Sequence, residues 1–295
     1  MHLEVVHTTR YQYSQPAWSN INELRLSPEE TKRQSPGEVS IKVHPSPGNE
    51  PKTSRDMFGN LVHLFEIEEM HSELEITSQS SVETRSNPDL VERAHDVPLA
   101  ALAAAEESDP FVHDFLSNST FIPRDPEVWR EAIDAKENAE TQSVGSVVEQ
   151  LSNHIFESCY YDDSQLISGQ HTSSDVRQTR KGACQEFAHL LIGYCRELGI
   201  PARYISGYLF DPGLSRAEPE FVGAQLSHAW VEVYIQDALG NEWLGIDPTN
   251  RKWVDEQYVS VALGRDYFDV APVKGTLIGG GKRRSLDVKL EVRQV

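Results

Sequence analysis

Cysteine is scarce in this chain. Only Cys159, Cys184 and Cys195 occur, and no two stand in a Cys-x-x-Cys spacing. That excludes the common zinc sites and leaves no metal expected. An odd number cannot pair completely within one chain, so the thiols fit a reducing compartment. Positive charge is also short, with 27 basic against 46 acidic residues and a net charge of −19. Such a chain repels phosphate, so no nucleic-acid partner is expected. No apolar run reaches the roughly 18 residues that a membrane helix needs. The start, Met1-His2-Leu3-Glu4, lacks a basic segment followed by an apolar one, so no secretory leader is read there. The expectation is therefore a cytoplasmic protein with no membrane partner. The one basic cluster, Lys282, Arg283 and Arg284 after Gly279–Gly281, reads as a solvated loop before a strand. Nothing points to a cofactor, and oligomeric state is not legible.

What is present is enough for ordinary cores. The chain has 295 residues, 38% of them hydrophobic, a length natural for two domains. Residues 1–87 read as an antiparallel β domain. Val5, Tyr11 and Tyr13 share one face of a first strand. Further strands are expected at Asn22–Leu26, Val39–Val43, Leu61–Ile67 and Leu74–Thr84, with turns at Ser35-Pro36-Gly37, Pro45–Gly48 and Gly59-Asn60. His7, His44, His63 and His71 read as surface or sheet residues. Residues 88–295 read as a helical segment followed by an α+β core. Pro98–Glu107 is alanine-rich, and Asp109-Pro110 opens a second helix candidate. Val144, Val147, Val148, Leu151 and Ile155 recur at helical spacing, and Cys159 continues that stripe as a core thiol. Residues 162–181 read as a polar loop. A helix from about Cys184 to Leu198 buries Phe187, Leu191, Tyr194, Cys195 and Leu198, and Gly199 and Pro201 end it. Strands follow at Ala202–Phe210, His228–Gln236 and Glu242–Ile246. The alternation of Leu286, Val288, Leu290 and Val292 with charged residues predicts a last strand with one wet face.

The chemistry concentrates in the core. A cysteine attacks as thiolate, and a helix start supplies unpaired N–H groups and partial positive charge that favour an anion. Cys184 is at such a start, and Cys195 lies on the apolar stripe of the same helix. His228 opens a strand on its more polar face, where it is placed to act as a base. Asp247 ends the next strand. The loop between the two strands is centred near residues 237 and 238, so folding there brings His228 and Asp247 side by side even with an offset of one or two residues. These settings suit a Cys184, His228, Asp247 triad. They suit equally a buried thiol beside an unrelated His–Asp hydrogen bond.

The motifs Gly182-Ala183-Cys184-Gln185-Glu186-Phe187-Ala188-His189-Leu190, Gly199–Tyr208, Ser227–Tyr234, Asp247-Pro248-Thr249-Asn250 and Gly264–Gly275 resemble the core of the bacterial transglutaminase-like superfamily. Tyr11-Gln12-Tyr13 and Met57-Phe58-Gly59-Asn60 resemble the β domain that precedes that core. Ala183 and Glu186 stand where Val and Asp would be expected. The resemblance implies a papain-like α+β core in which Cys184, His228 and Asp247 match the catalytic positions. It implies a cysteine protease, amidase or acyltransferase acting on a peptide or protein amide through a thioester. A non-catalytic binding module that retains the fold is the alternative. Tyr161 stands where related sequences often carry an aromatic, as an oxyanion donor or as packing.

Overall fold

The computed structural model describes residues 1–105, 109–162, 171–214 and 218–295. Among the described residues it is built on two large sheets, with a two-stranded pair beside them. The first is curled around one long strand, β1 (His2–Leu24), where two shorter strands were expected. Pro16 and its neighbours interrupt the register between Gln12 and Ala17, but the chain stays extended because each half of β1 has partners on both sides. The remaining strands of this region are β2 (Gln34–His44), β3 (Lys52–Arg55), β4 (Leu61–Ile67) and β5 (His71–Thr84), in the order β2-β5-β1-β4-β3. Along β1, Leu3, Val5, His7 and Thr9 are buried, as are Tyr13, Ala17, Asn20, Asn22 and Leu24, and the residues alternating with them are half-buried or exposed, largely the period-2 pattern of a one-sided sheet.

The helical layer comes next. It comprises α1 (Pro88–Asp96), α2 (Pro126–Lys136), α3 (Val144–Ser158), α4 (Ser173–Thr179) and α5 (Cys184–Glu197), with the two-residue strands β6 (Tyr160–Tyr161) and β7 (Lys181–Gly182) between them. Helix α3 begins where Ser143 Oγ accepts the Ser146 N–H, a cap written in the sequence. The described part of the alanine-rich segment is a 3-10 helix, Leu99–Ala104, and Asp109 caps another, Pro110–Phe115. Helix α4 lies inside the expected polar loop. Thr172 Oγ1 accepts the Asp175 N–H while Asp175 accepts the Thr172 N–H. This reciprocal cap is a signal that the polarity of the stretch hid. Residues 163–170 of that loop lie outside the described residues.

The second sheet holds β8 (Ala202–Leu209), β9 (His228–Asp237), β10 (Gly240–Asp247), β11 (Lys252–Trp253) and β12 (Tyr258–Gly264), in the order β11-β10-β9-β8-β12. Helix α5 buries Phe187, Leu190, Leu191 and Cys195 in one core with Ala202, Val231 and Val233 of this sheet. A short helix, α6 (Tyr267–Val270), leads to β13 (Val273–Gly279) and β14 (Arg283–Gln294). Both pair with β1, so the chain's end returns to the first sheet instead of extending the core, and a division at residues 87/88 does not describe that sheet. The wet face expected for β14 is there, but its opposite face is only half-buried.

The first sheet also covers the open edge of the second. The Asn60 side chain donates to the Leu263 carbonyl at 2.7 Å and accepts the Leu263 N–H at 2.8 Å. Gln34 does the same to Ser260, at 2.7 and 2.8 Å. Edge strands expose such backbone groups, and here two side-chain amides stand in for a missing neighbour strand. His7 is buried in this contact, with Nδ1 2.9 Å from the Tyr208 hydroxyl and Nε2 3.1 Å from Thr9 Oγ1. Burial pushes its pKa down to about 4, which keeps it neutral.

Candidate active site

Cys184 is the first residue of α5 and is 2% exposed. The turn into the helix is shaped by Glu186, whose carboxylate folds back to accept the Ala183 N–H at 3.0 Å. Glu186 is itself buried, which raises its pKa. Gly182 is required here for space: a Cβ would lie 2.5 Å from the Glu186 Cβ. Beside this turn, β6 pairs in parallel with β7, placing Tyr161 opposite Gly182. The Asp162 N–H donates to the Gly182 carbonyl at 2.9 Å.

His228 and Asp247 meet through the β9–β10 hairpin. Its register pairs Asp237 with Gly240 and Val231 with Ile246, so the turn is two residues and Asp247 comes level with Trp230, not His228. The two side chains therefore meet diagonally, within the expected offset. His228 Nε2 lies 2.7 Å from Asp247 Oδ2, and both side chains are sealed from solvent. Asp247 accepts more bonds: from the hydroxyl of Tyr258 at 2.9 Å, the Asn250 side chain at 2.8 Å, and the backbone N–H of Thr249 at 2.8 Å.

These contacts set the charges. Burial disfavours the imidazolium, but Asp247 and the Cys184 thiol favour it more, and the His228 pKa is raised to about 10. Burial likewise works against the Asp247 carboxylate, and the imidazolium with Asn250 and Tyr258 overcomes it, holding that carboxyl below the ordinary range. Nδ1 of His228 has no well-formed hydrogen bond. With Nε2 taken by Asp247, Nδ1 is left for the thiol, and apo sites commonly hold such contacts loosely. The three residues thus form a buried carboxylate–imidazolium pair with a thiol beside it.

Gly223, at φ +81°, lies against the imidazole of His228. A Cβ there would lie 3.0 Å from His228 Nδ1 and 3.2 Å from the Tyr161 hydroxyl oxygen, so both atoms border the same small space. Tyr161 also packs edge-on to Phe187, at 6.1 Å between ring centroids.

Two family descriptions match the chain: bacterial transglutaminase-like N-terminal region over residues 3–83 and transglutaminase-like superfamily over residues 129–248. An uncharacterized protein of Mycobacterium leprae (strain TN) is 33% identical over 99% of this chain and 99% of its own. An uncharacterized protein of Mycobacterium tuberculosis (strain H37Rv) is 32% identical over 98% of this chain and 91% of its own. The chain belongs to the transglutaminase-like superfamily. In fold it is similar to a crystal structure described as a "Putative Cysteine Protease" from Cytophaga hutchinsonii, with a TM-score of 0.75 at 22% identity, covering 100% of this chain and 91% of that one.

The transglutaminase-like match runs from α2 to just past the end of β10. It therefore includes Cys184, His228 and Asp247 and stops short of Asn250 and Tyr258, which complete the shell around Asp247. Neither of those two was singled out for a role from sequence. The turn Asp247-Pro248-Thr249-Asn250 carries a readable sign for one of them, since Asx residues bond neighbouring backbone groups. Nothing local to Tyr258 marks it. The other thiols sit apart from this group: Cys195 is buried, which pushes its pKa up to about 12, and burial also raises that of Cys159. Among the described residues no group of three His, Cys, Asp or Glu could hold a metal ion, and no helix is long and apolar enough to cross a membrane.

Proposed function

We propose that this transglutaminase-like protein is a cysteine-dependent amide hydrolase or acyltransferase whose substrate is a peptide or protein amide. The observation that carries the reading is the buried 2.7 Å His228–Asp247 pair with the Cys184 thiol beside the imidazole. Cys184, as thiolate, attacks the amide carbon. The oxyanion that forms is held by N–H groups at the start of α5 and by the Tyr161 hydroxyl. His228 gives the Nδ1 proton to the leaving amine as the C–N bond breaks, and a thioester remains on Cys184. Water or a second amine, deprotonated by His228, then attacks the thioester and releases the thiolate. Asp247 orients the imidazole throughout. Water makes the protein a peptidase or amidase; an amine makes it a transglutaminase.

Iodoacetamide labelling across pH, located by mass spectrometry, tests the nucleophile. Cys184 should react rapidly below neutral pH while Cys159 and Cys195 stay slow. A Cys184 rate that follows an ordinary free thiol at every pH would remove the proposal. Incubation of wild type and Cys184→Ala with a peptide and a labelled amine then separates cleavage from transfer.

A further inference from the structure

The catalytic group lies under a short roof. Cys184 is 2% exposed and His228 1%, so an amide cannot reach the sulfur in the conformation described. Among the described residues, the backbone at Val222–Gly223 lies against the imidazole: a Cβ at Gly223 would be 3.0 Å from His228 Nδ1, the atom left for the thiol, and 3.2 Å from the Tyr161 hydroxyl oxygen. Among the described residues, contacts from three side chains hold this segment down. Asp211 accepts the N–H groups of Glu220 and Phe221 at 2.8 and 2.9 Å. The Lys252 ammonium lies 4.5 Å from the centre of the Phe221 ring. Asn250 meets Val222 from both sides: its Oδ1 accepts the Val222 N–H at 2.8 Å, and its Nδ2 donates to the Val222 carbonyl at 3.1 Å.

Asn250 stands out because the same Nδ2 also donates to Asp247 Oδ2 at 2.8 Å, and its own N–H donates to Asp247 Oδ1 at 3.3 Å. One amide therefore ties the carboxylate that orients His228 to the backbone that covers His228. We infer that Asn250 is a positioning residue that latches the Val222–Gly223 roof over Cys184 and that an acyl substrate enters by lifting this roof. The inference rests on the reading of Cys184 as the nucleophile. Three features suit a latch. Val222 is 42% exposed, and Phe221 and Ala224, which pack with Trp230 and Tyr258, bound the short segment that lifts. The amide–peptide pair is a two-bond contact, weak enough to open often. Its partner on the other side, Asp247, keeps its backbone donors when the roof is raised.

The test compares two thiol reagents on the full chain, iodoacetamide and the much larger fluorescein-5-maleimide. The rate at Cys184 is read by mass spectrometry in wild type, Asn250→Ala and Phe221→Ala. Phe221→Ala loosens the roof without touching Asp247, and it serves if the first variant folds poorly by circular dichroism. Asn250→Ala should raise the maleimide rate at Cys184 by roughly tenfold or more, the scale of its two lost hydrogen bonds to Val222, and Phe221→Ala should raise it through the lost ring contact and packing. The pH midpoint of iodoacetamide labelling reports the triad separately. A maleimide rate within about twofold of wild type in both folded variants overturns the latch. So does an Asn250→Ala effect confined to the pH midpoint, which would assign the residue to Asp247 alone. A faster maleimide reaction with an ordinary-thiol pH profile in wild type would keep the roof and remove the catalytic reading.

Discussion

Replacing Asp247 by Asn keeps shape and removes charge, which makes it the sharpest probe of the site. Three donors converge on Oδ2: His228 Nε2, the Asn250 amide and the Tyr258 hydroxyl. Two backbone N–H groups, of Thr249 and Asn250, point at Oδ1. A carboxylate accepts all of them; an amide cannot. If the new NH2 replaces Oδ2 it faces the Asn250 Nδ2, a fixed donor, and the imidazole must carry its proton on Nδ1. If the amide is reversed, its NH2 faces the two backbone N–H groups. In both orientations a buried donor is left unpaired, at a cost of about 1–3 kcal/mol in stability. The imidazolium also loses its counter-charge, and with it the positive charge that would favour a thiolate beside it goes. Iodoacetamide labelling of Cys184 should therefore slow in the variant, most at acidic pH, and approach the wild-type rate as the pH rises. Turnover, once a substrate is found, should fall by about 10³–10⁴. A variant whose rate–pH curve overlays that of wild type would refute the account of how the thiol is activated.

Other predictions concern stability. His228 is raised from 6.5 to about 10, so its charged form stabilises the fold fully below pH 6.5, and that contribution is lost as the pH rises toward 10. Thermal melts of wild type should decline across that window more steeply than those of His228→Gln, and parallel curves would show that the residue is uncoupled from folding. Asn60→Ala and Gln34→Ala each leave one N–H and one carbonyl of β12 without partners in a part-buried contact. Each should lower stability by about 1–3 kcal/mol, seen as a reduced denaturant midpoint at constant m-value. A change of less than about 0.5 kcal/mol would mean that the amides do not hold the two sheets together.

The sequence by itself determined the local settings. A cysteine after Gly182, an apolar stripe behind it and Gly199-Ile200-Pro201 at its end place Cys184 at a helix start, because capping, periodicity and chain-breaking residues act over a few positions. The hairpin between His228 and Asp247 was legible for the same reason: both strands and their connection are contiguous, so position in the chain fixes position in space to within a residue or two. Three features were decided only in the tertiary structure. The diagonal meeting of His228 with Asp247 depends on a register that the two-residue turn selects. The roof over Cys184 depends on Asn250 reaching Val222, 28 residues earlier. The return of β13 and β14 to β1 depends on a pairing across almost the whole chain, which alternation can suggest but cannot address to a partner. Hydrogen bonds between distant segments carry no local sequence mark. For that reason Cys184, His228 and Asp247 were readable one by one, while Tyr258 and Gly223 became visible only when the fold had brought them to the same few ångströms.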